Sequence, residues 1–190
     1  MHTQKAISIV LIPPPEIIND CTQKNRKDFE GGFMPISLGA DDFIPHITLF
    51  MGIAYEPSIA HISAILDKLS QKHLPIKLEP TKVAKNWMFF KKTPTLLDFQ
   101  QSIANEVEPL VHHKALADHY FTDPEDIITP DCFPWVEKFY YAHSFENFAP
   151  HITTWSTYEG PPPNTSFVAA DLALCHMGKY NTCRRILWKN

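Results

Sequence analysis

The spacing of apolar residues marks out the elements of this chain before any chemistry is considered. Residues 6–12, Ala-Ile-Ser-Ile-Val-Leu-Ile, form a β-branched run that stops at the triplet Pro13 to Pro15, the pattern of a buried central strand. A helix is expected over 16–29, followed by a loop opening at Gly31 and Gly32. From Ser58 to His73, the residues Ile59, Ile62, Ile65, Leu66 and Leu69 recur at helical spacing, with Ser58 placed as N-cap. Leu74, Ile76 and Leu78 alternate with Pro75, Lys77 and Glu79, and the run from Asn86 to Lys92 is aromatic-rich, so both predict strands. Thr93 as N-cap and Pro94 at the first helical position introduce Leu96, Phe99, Ile103 and Val107, a second amphipathic helix that Pro109 ends or kinks.

Between Asp118 and Phe148 no period is sustained and prolines fall at 124, 130 and 134, which predicts an irregular, partly packed insertion. A second triplet, Pro161 to Pro163, precedes strand-like runs over 166–177 and 183–188, joined around Gly178 to Asn181 as a terminal antiparallel hairpin. Short antiparallel connections rather than parallel crossovers make this an α+β chain.

Composition narrows the function classes. With 190 residues, 44% of them hydrophobic, the chain can bury the core of one domain. A net charge of −4 argues against a broad basic surface for long duplex nucleic acid, while a small phosphate site stays open. The four cysteines form no C-x-x-C pair and the N-terminus lacks a signal-peptide pattern, so reduced thiols in a cytoplasmic protein are expected. No apolar run reaches the roughly 20 residues of a membrane span, and no membrane partner is expected.

The chemistry lies in a repeat. Pro-His-Ile-Thr occurs at Pro45 and again at Pro150, each time in a locally extended sequence. Alternate side chains of a strand share a face, so His46, Thr48 and Phe50 form one set and His151, Thr153 and Trp155 another. Two such strands around one cleft suit phosphodiester cleavage: one neutral imidazole takes a proton from attacking water, and the other, protonated, supplies the departing oxygen. Threonine hydroxyls can donate to the non-bridging phosphate oxygens. A single H-x-T is weak, because lone histidines are commonly packed or solvated. Two matching copies, each preceded by proline and followed by an aromatic residue, shift the reading to a site.

The paired motifs, His46-Ile47-Thr48 and His151-Ile152-Thr153, resemble those of the 2H phosphoesterase superfamily, which includes the bacterial proteins called 2′-5′ RNA ligases and the RNA 2′,3′-cyclic phosphodiesterases. The resemblance covers most of the chain: the N-terminal strand, the helix after the first motif and the terminal hairpin also fall where such proteins have them. It implies one domain over 1–190, built as two pseudo-symmetric lobes of antiparallel sheet with helices packed outside and a central active-site groove. His46 and His151 would be the acid/base pair, with either as base, and Thr48 and Thr153 the phosphate-holding hydroxyls. The implied activity opens a 2′,3′-cyclic phosphate of an RNA end or small nucleotide to a 2′-phosphate, without metal or other cofactor, in a monomer. RNA 2′-5′ ligation through the same groups and non-catalytic binding of a nucleotide or RNA end are the alternatives. The motifs stand far apart for the compact bacterial members, and the surplus falls in 118–148, which puts the substrate in question.

Other residues carry less. Phe50 and Trp155 could stack on a base or merely wall the groove, and Tyr180 could reach the phosphate or be a turn tyrosine. Arg184 and Arg185 point to opposite faces, so at most one could reach the cleft, and Lys82 and Lys85 could steer a phosphate. His112 and His113 are adjacent and would splay about 100° apart on a helix, a poor pair for one metal.

Overall fold

The computed structural model describes residues 3–39, 41–162 and 166–190, so Pro163 of the second proline triplet lies outside the described residues. The first strand, β1 (Gln4–Ile12), is buried continuously from Ala6 to Ile12 because it lies between two neighbours. Pro14 and Pro15 then start α1 (Pro15–Glu30), proline at a helix start costing no intrahelical hydrogen bond. After the loop come β2 (Ile47–Tyr55) and α2 (Glu56–His73). This second helix begins two residues before Ser58: Tyr55 is its N-cap and Pro57 supplies a helix-ready φ in the first turn, so Ser58 is not the cap.

The next run contains β3 (Ile76–Leu78), β4 (Pro80–Ala84) and β5 (Trp87–Phe90), the last two forming a hairpin. Thr93 caps α3 (Pro94–Val107) as expected, its hydroxyl accepting from the Leu96 amide at 3.2 Å, and Pro109 falls in a 3-10 turn that ends it. A short β6 (Val111–His112) follows. The segment expected to be irregular instead holds a helical stretch, with a 3-10 turn at Pro130–Cys132, α4 (Phe133–Lys138) and a π turn at Phe139–His143. The chain closes with β7 (His151–Thr153), β8 (Phe167–Ala169), β9 (Asp171–Met177) and β10 (Cys183–Lys189). The run over 166–177 is therefore two strands, because β8 pairs with β3 in a separate ribbon while β9 joins the main sheet.

Among the described residues every strand pairing is antiparallel, and eight strands form one sheet in the order β10-β9-β1-β2-β7-β5-β4, with β6 also on β2. This is the expected α+β class. One face, carrying Ile7, Ile9, Leu11, Ile47, Ile152 and Leu174, shares the main core with Ile17 of α1, Ile62 and Leu66 of α2 and Phe99 and Ile103 of α3. Each such side chain contributes about 1.5–3 kcal/mol on burial. The opposite face meets the segment around α4 through Ala6, Met51, Ile53, Val136, Phe139 and Met177.

Two expectations fail here. Cys175 and Cys183 are not free thiols: the hairpin of β9 and β10 brings their Cα atoms to 5.6 Å and they form a disulfide, whereas Cys21 and Cys132 are free and buried. Phe50 does not share a face with His46 and Thr48. Opposite Ile9 and Val10, β2 carries an extra residue, since Ile9 pairs with Phe50 but Val10 with Thr48. A β-bulge shifts the alternation by one residue, so Leu49 and Phe50 both enter the main core. Among the described residues, no helix is long and apolar enough to cross a membrane.

Candidate functional site

The two histidine motifs meet on the sheet face away from the three long helices. Ile47 of β2 pairs with Ile152 of β7, and both are fully buried in the main core. Their flanking residues must point the other way. Extending that antiparallel register one residue each way sets His46 across from Thr153 and Thr48 across from His151. All four line one cavity of about 280 Å³.

Proline explains the orientation of each ring. The imidazole Nδ1 of His46 donates to the carbonyl of Ile44 at 2.6 Å, and that of His151 to the carbonyl of Ala149 at 2.8 Å. A carbonyl can only accept, so each Nδ1 carries the hydrogen and each Nε2 keeps a lone pair. The acceptor lies two residues upstream across Pro45 or Pro150, and the proline ring restricts the turn that brings it there. Burial holds both imidazoles below their ordinary pKa: His46 is pushed down to about 4, opposed by the Ile44 hydrogen bond and aided by nearby His151, and His151 is lowered chiefly by desolvation. Two neutral imidazoles thus face the cavity at neutral pH.

Of the expected contact residues, Trp155 and Tyr180 line the cavity and lean on one another, ring centroids 5.3 Å apart. Phe50 does not: it is fully buried, with its ring edge-on to Phe139 and His113. Met51, on the far side of the bulge, takes a place in the cavity wall instead. Arg184 reaches neither cavity nor solvent. It is buried in an ion cluster with Asp42, Asp123 and Asp126 and lies over the ring of Phe43, tying down the loop that leads into His46. Arg185 is exposed, Lys82 lies over the Phe89 ring, and neither Lys82 nor Lys85 lines the cavity. His113 is held by Glu108 and the Val136 carbonyl, and His112 packs on Tyr55. Among the described residues no group of three or more His, Cys, Asp or Glu is placed to hold a metal ion.

Several residues of the site escaped the sequence reading. Asn25, fully buried in α1, donates to the carbonyls of Ile36 and Trp155 and accepts from the Leu38 amide, joining the loop before the first motif to the segment just after the second. Its signal was a polar residue in the stripe of Ile17, Ile18 and Cys21. Asn86 and Trp87, at the turn into β5, also line the cavity, and the Asn86 carbonyl accepts from both the amide and the hydroxyl of Thr154. From the helical segment come Asp131, Cys132, Trp135, Phe139 and His143. The four-residue recurrence of Asp131, Trp135, Phe139 and His143 is readable, although the prolines and aromatics around it hide the period.

In sequence, no family model and no curated protein matches the chain. In structure it is similar to Escherichia coli LigT. The apo form of LigT superposes with a TM-score of 0.55 at 13% identity, over 98% of this chain and 96% of that one. The complex of LigT with phosphate gives 0.54 at 12% identity over 99% and 97%, and its complex with 3′-AMP gives 0.52 at 13% over 98% and 97%. The chain therefore has the fold of LigT along almost its whole length.

Proposed function

We propose that the protein is a metal-independent phosphodiesterase that opens a 2′,3′-cyclic phosphate, on a small nucleotide or an RNA end, to a 2′-phosphate. The observation that carries this reading is the pair of imidazoles on one cavity, each with Nδ1 tied to a backbone carbonyl and Nε2 left with its lone pair. One Nε2 takes a proton from water as its oxygen bonds to phosphorus. The P–O3′ bond breaks, and the other imidazole, protonated, gives its proton to O3′. Thr48 and Thr153, each across from the histidine of the other strand, donate to the non-bridging oxygens as charge grows there. A tied Nδ1 fixes the tautomer without any rearrangement during the step.

LigT, a protein of this fold, has been crystallised with phosphate and with 3′-AMP, which supports a phosphate-binding role for this fold. Ligation would use the same groups in reverse, with a second RNA hydroxyl in place of water, and is disfavoured in water. A pure binder has no need of two proton-transfer groups.

The test is turnover of 2′,3′-cyclic mononucleotides and of RNA ending in a cyclic phosphate, with a chelator present. A 2′-phosphate product, lost in both His46→Ala and His151→Ala, supports the reading. No turnover of any substrate, or dependence on an added divalent metal, overturns it.

A further inference from the structure

From Pro130 to His143 the chain winds through a 3-10 turn, α4 and a π turn in succession. Asp131, Trp135, Phe139 and His143 recur at four-residue spacing along it, and all four line the cavity that holds His46 and His151. Residues three and four apart share a helix face. The rings of Trp135 and His143 are stacked, with centroids 4.8 Å apart and planes 23° apart. Phe139 is buried beneath, 5.9 Å from His143, and joins the second core. Phe139 thus anchors the segment, while Trp135 stays 42% exposed. An indole left open at a cavity wall is surface that a flat apolar ligand would cover favourably.

We propose that this stripe is a nucleobase subsite, in which the base of the substrate stacks on the Trp135–His143 pair and its exocyclic amino or ring N–H group donates to Asp131. Because it takes the base from a substrate whose phosphate His46 and His151 hold, this assignment rests on the phosphodiesterase reading. Continuity favours it: the stripe and both histidines wall one cavity, and His143 stands close enough to His151 for a charge on it to disfavour protonation of His151. Burial lowers the His143 pKa, which keeps its ring neutral as a stacking surface. Trp155 and Tyr180, the other aromatic pair, are inclined at 57° and offer no common plane. Carboxylates accept from base amino groups, as in cytosine recognition. The segment 118–148 would then decide which nucleotide is accepted, leaving the acid/base chemistry to β2 and β7.

Two comparisons test this. In the first, kcat/KM is measured for a 2′,3′-cyclic nucleotide and for ethylene phosphate, a five-membered cyclic phosphodiester without a base. The ratio of the two is expected to fall about 10- to 100-fold in Trp135→Ala, the loss expected for one stacked base. It should fall also in His143→Ala but be kept in His143→Phe, which preserves the stack without a titrating group. A ratio unchanged in Trp135→Ala, or a His143→Phe variant as impaired as His143→Ala, overturns the proposal.

The second comparison does not depend on turnover. Calorimetric titration with a nucleoside 3′-monophosphate and with inorganic phosphate should show tighter binding of the nucleotide, an advantage that Trp135→Ala removes. If the wild type turns nothing over yet shows this advantage, the phosphodiesterase reading fails and the base subsite stands. If nucleotide and phosphate bind equally, the subsite fails whatever the catalysis.

Discussion

Ile47 lies directly across from Ile152 in the antiparallel ladder, and that one pair determines how the two motifs combine. Had the strands been parallel, histidine would have stood beside histidine. In the antiparallel register each histidine faces the other strand's threonine, so the cavity wall sets an imidazole from one half of the chain beside a hydroxyl from the other.

Replacing either histidine by alanine is expected to lower kcat by about 10²–10⁴, the usual contribution of one positioned proton-transfer group. The double variant should be little worse than the poorer single one, because the two groups act in one step. Single-turnover rates check the effect, and far-UV circular dichroism shows whether the variants remain folded.

On the proposed mechanism, removing a threonine hydroxyl takes away one donor to the growing charge. Thr48→Val and Thr153→Val each keep the shape and β propensity of the position, and kcat should fall by about 10- to 1,000-fold with a smaller change in KM. A raised KM with kcat unchanged in both variants would instead point to ground-state binding.

The pH profile follows from the two depressed imidazoles. On the proposed mechanism, activity of the free enzyme needs one neutral and one protonated histidine. His46, pushed down to about 4 by burial, is neutral over nearly the whole accessible range and suits the base. His151, also lowered by burial, must then hold its proton as the acid, and loses it as pH rises through a value below the ordinary 6.5. The kcat/KM profile should therefore be a bell on the acidic side of neutrality. A bound phosphate anion favours the imidazolium, so the kcat profile should reach to higher pH. An alkaline kcat/KM optimum would overturn the assignment of the acid/base work to these two imidazoles.

Asn25→Ala leaves the carbonyls of Ile36 and Trp155 and the amide of Leu38 without their buried partner. Each orphaned group costs about 1–3 kcal/mol, so urea unfolding should show a loss of several kcal/mol unless water enters. The surviving folded fraction should have a raised KM, because Trp155 walls the cavity.

Reduction of the Cys175–Cys183 bond opens a loop that contains Tyr180 and Thr182 of the cavity wall. Closing so short a loop contributes about 2–3 kcal/mol by the chain-entropy estimate. The urea midpoint should fall by the matching amount in dithiothreitol, and Cys175→Ser should show the same fall without reductant. Equal midpoints in both states would mean that the bond adds nothing to stability.

How much of this was legible beforehand can be argued from single residues. Ala6 to Ile12, Thr93 with Pro94, and the paired His-Ile-Thr motifs announced themselves because each signal is local: an apolar run, a cap, a repeated word. Phe50, Ser58, Asn25 and the cysteine pair misled or stayed silent for the opposite reason. Phe50 depends on one extra residue opposite Val10, Asn25 on two loops that meet only when folded, and Cys175 with Cys183 on the register of a hairpin.

The sequence alone therefore determined which residue types could handle a phosphodiester, which strands carry them and that the chain is α+β, since side-chain chemistry and the period of burial are properties of near neighbours. Only the tertiary structure decided that the two motifs share one cavity, that Met51 rather than Phe50 joins its wall, and that the stripe from Asp131 to His143 closes it. Those outcomes hang on strand register and long-range packing, where a shift of one residue turns a side chain from the core to the site.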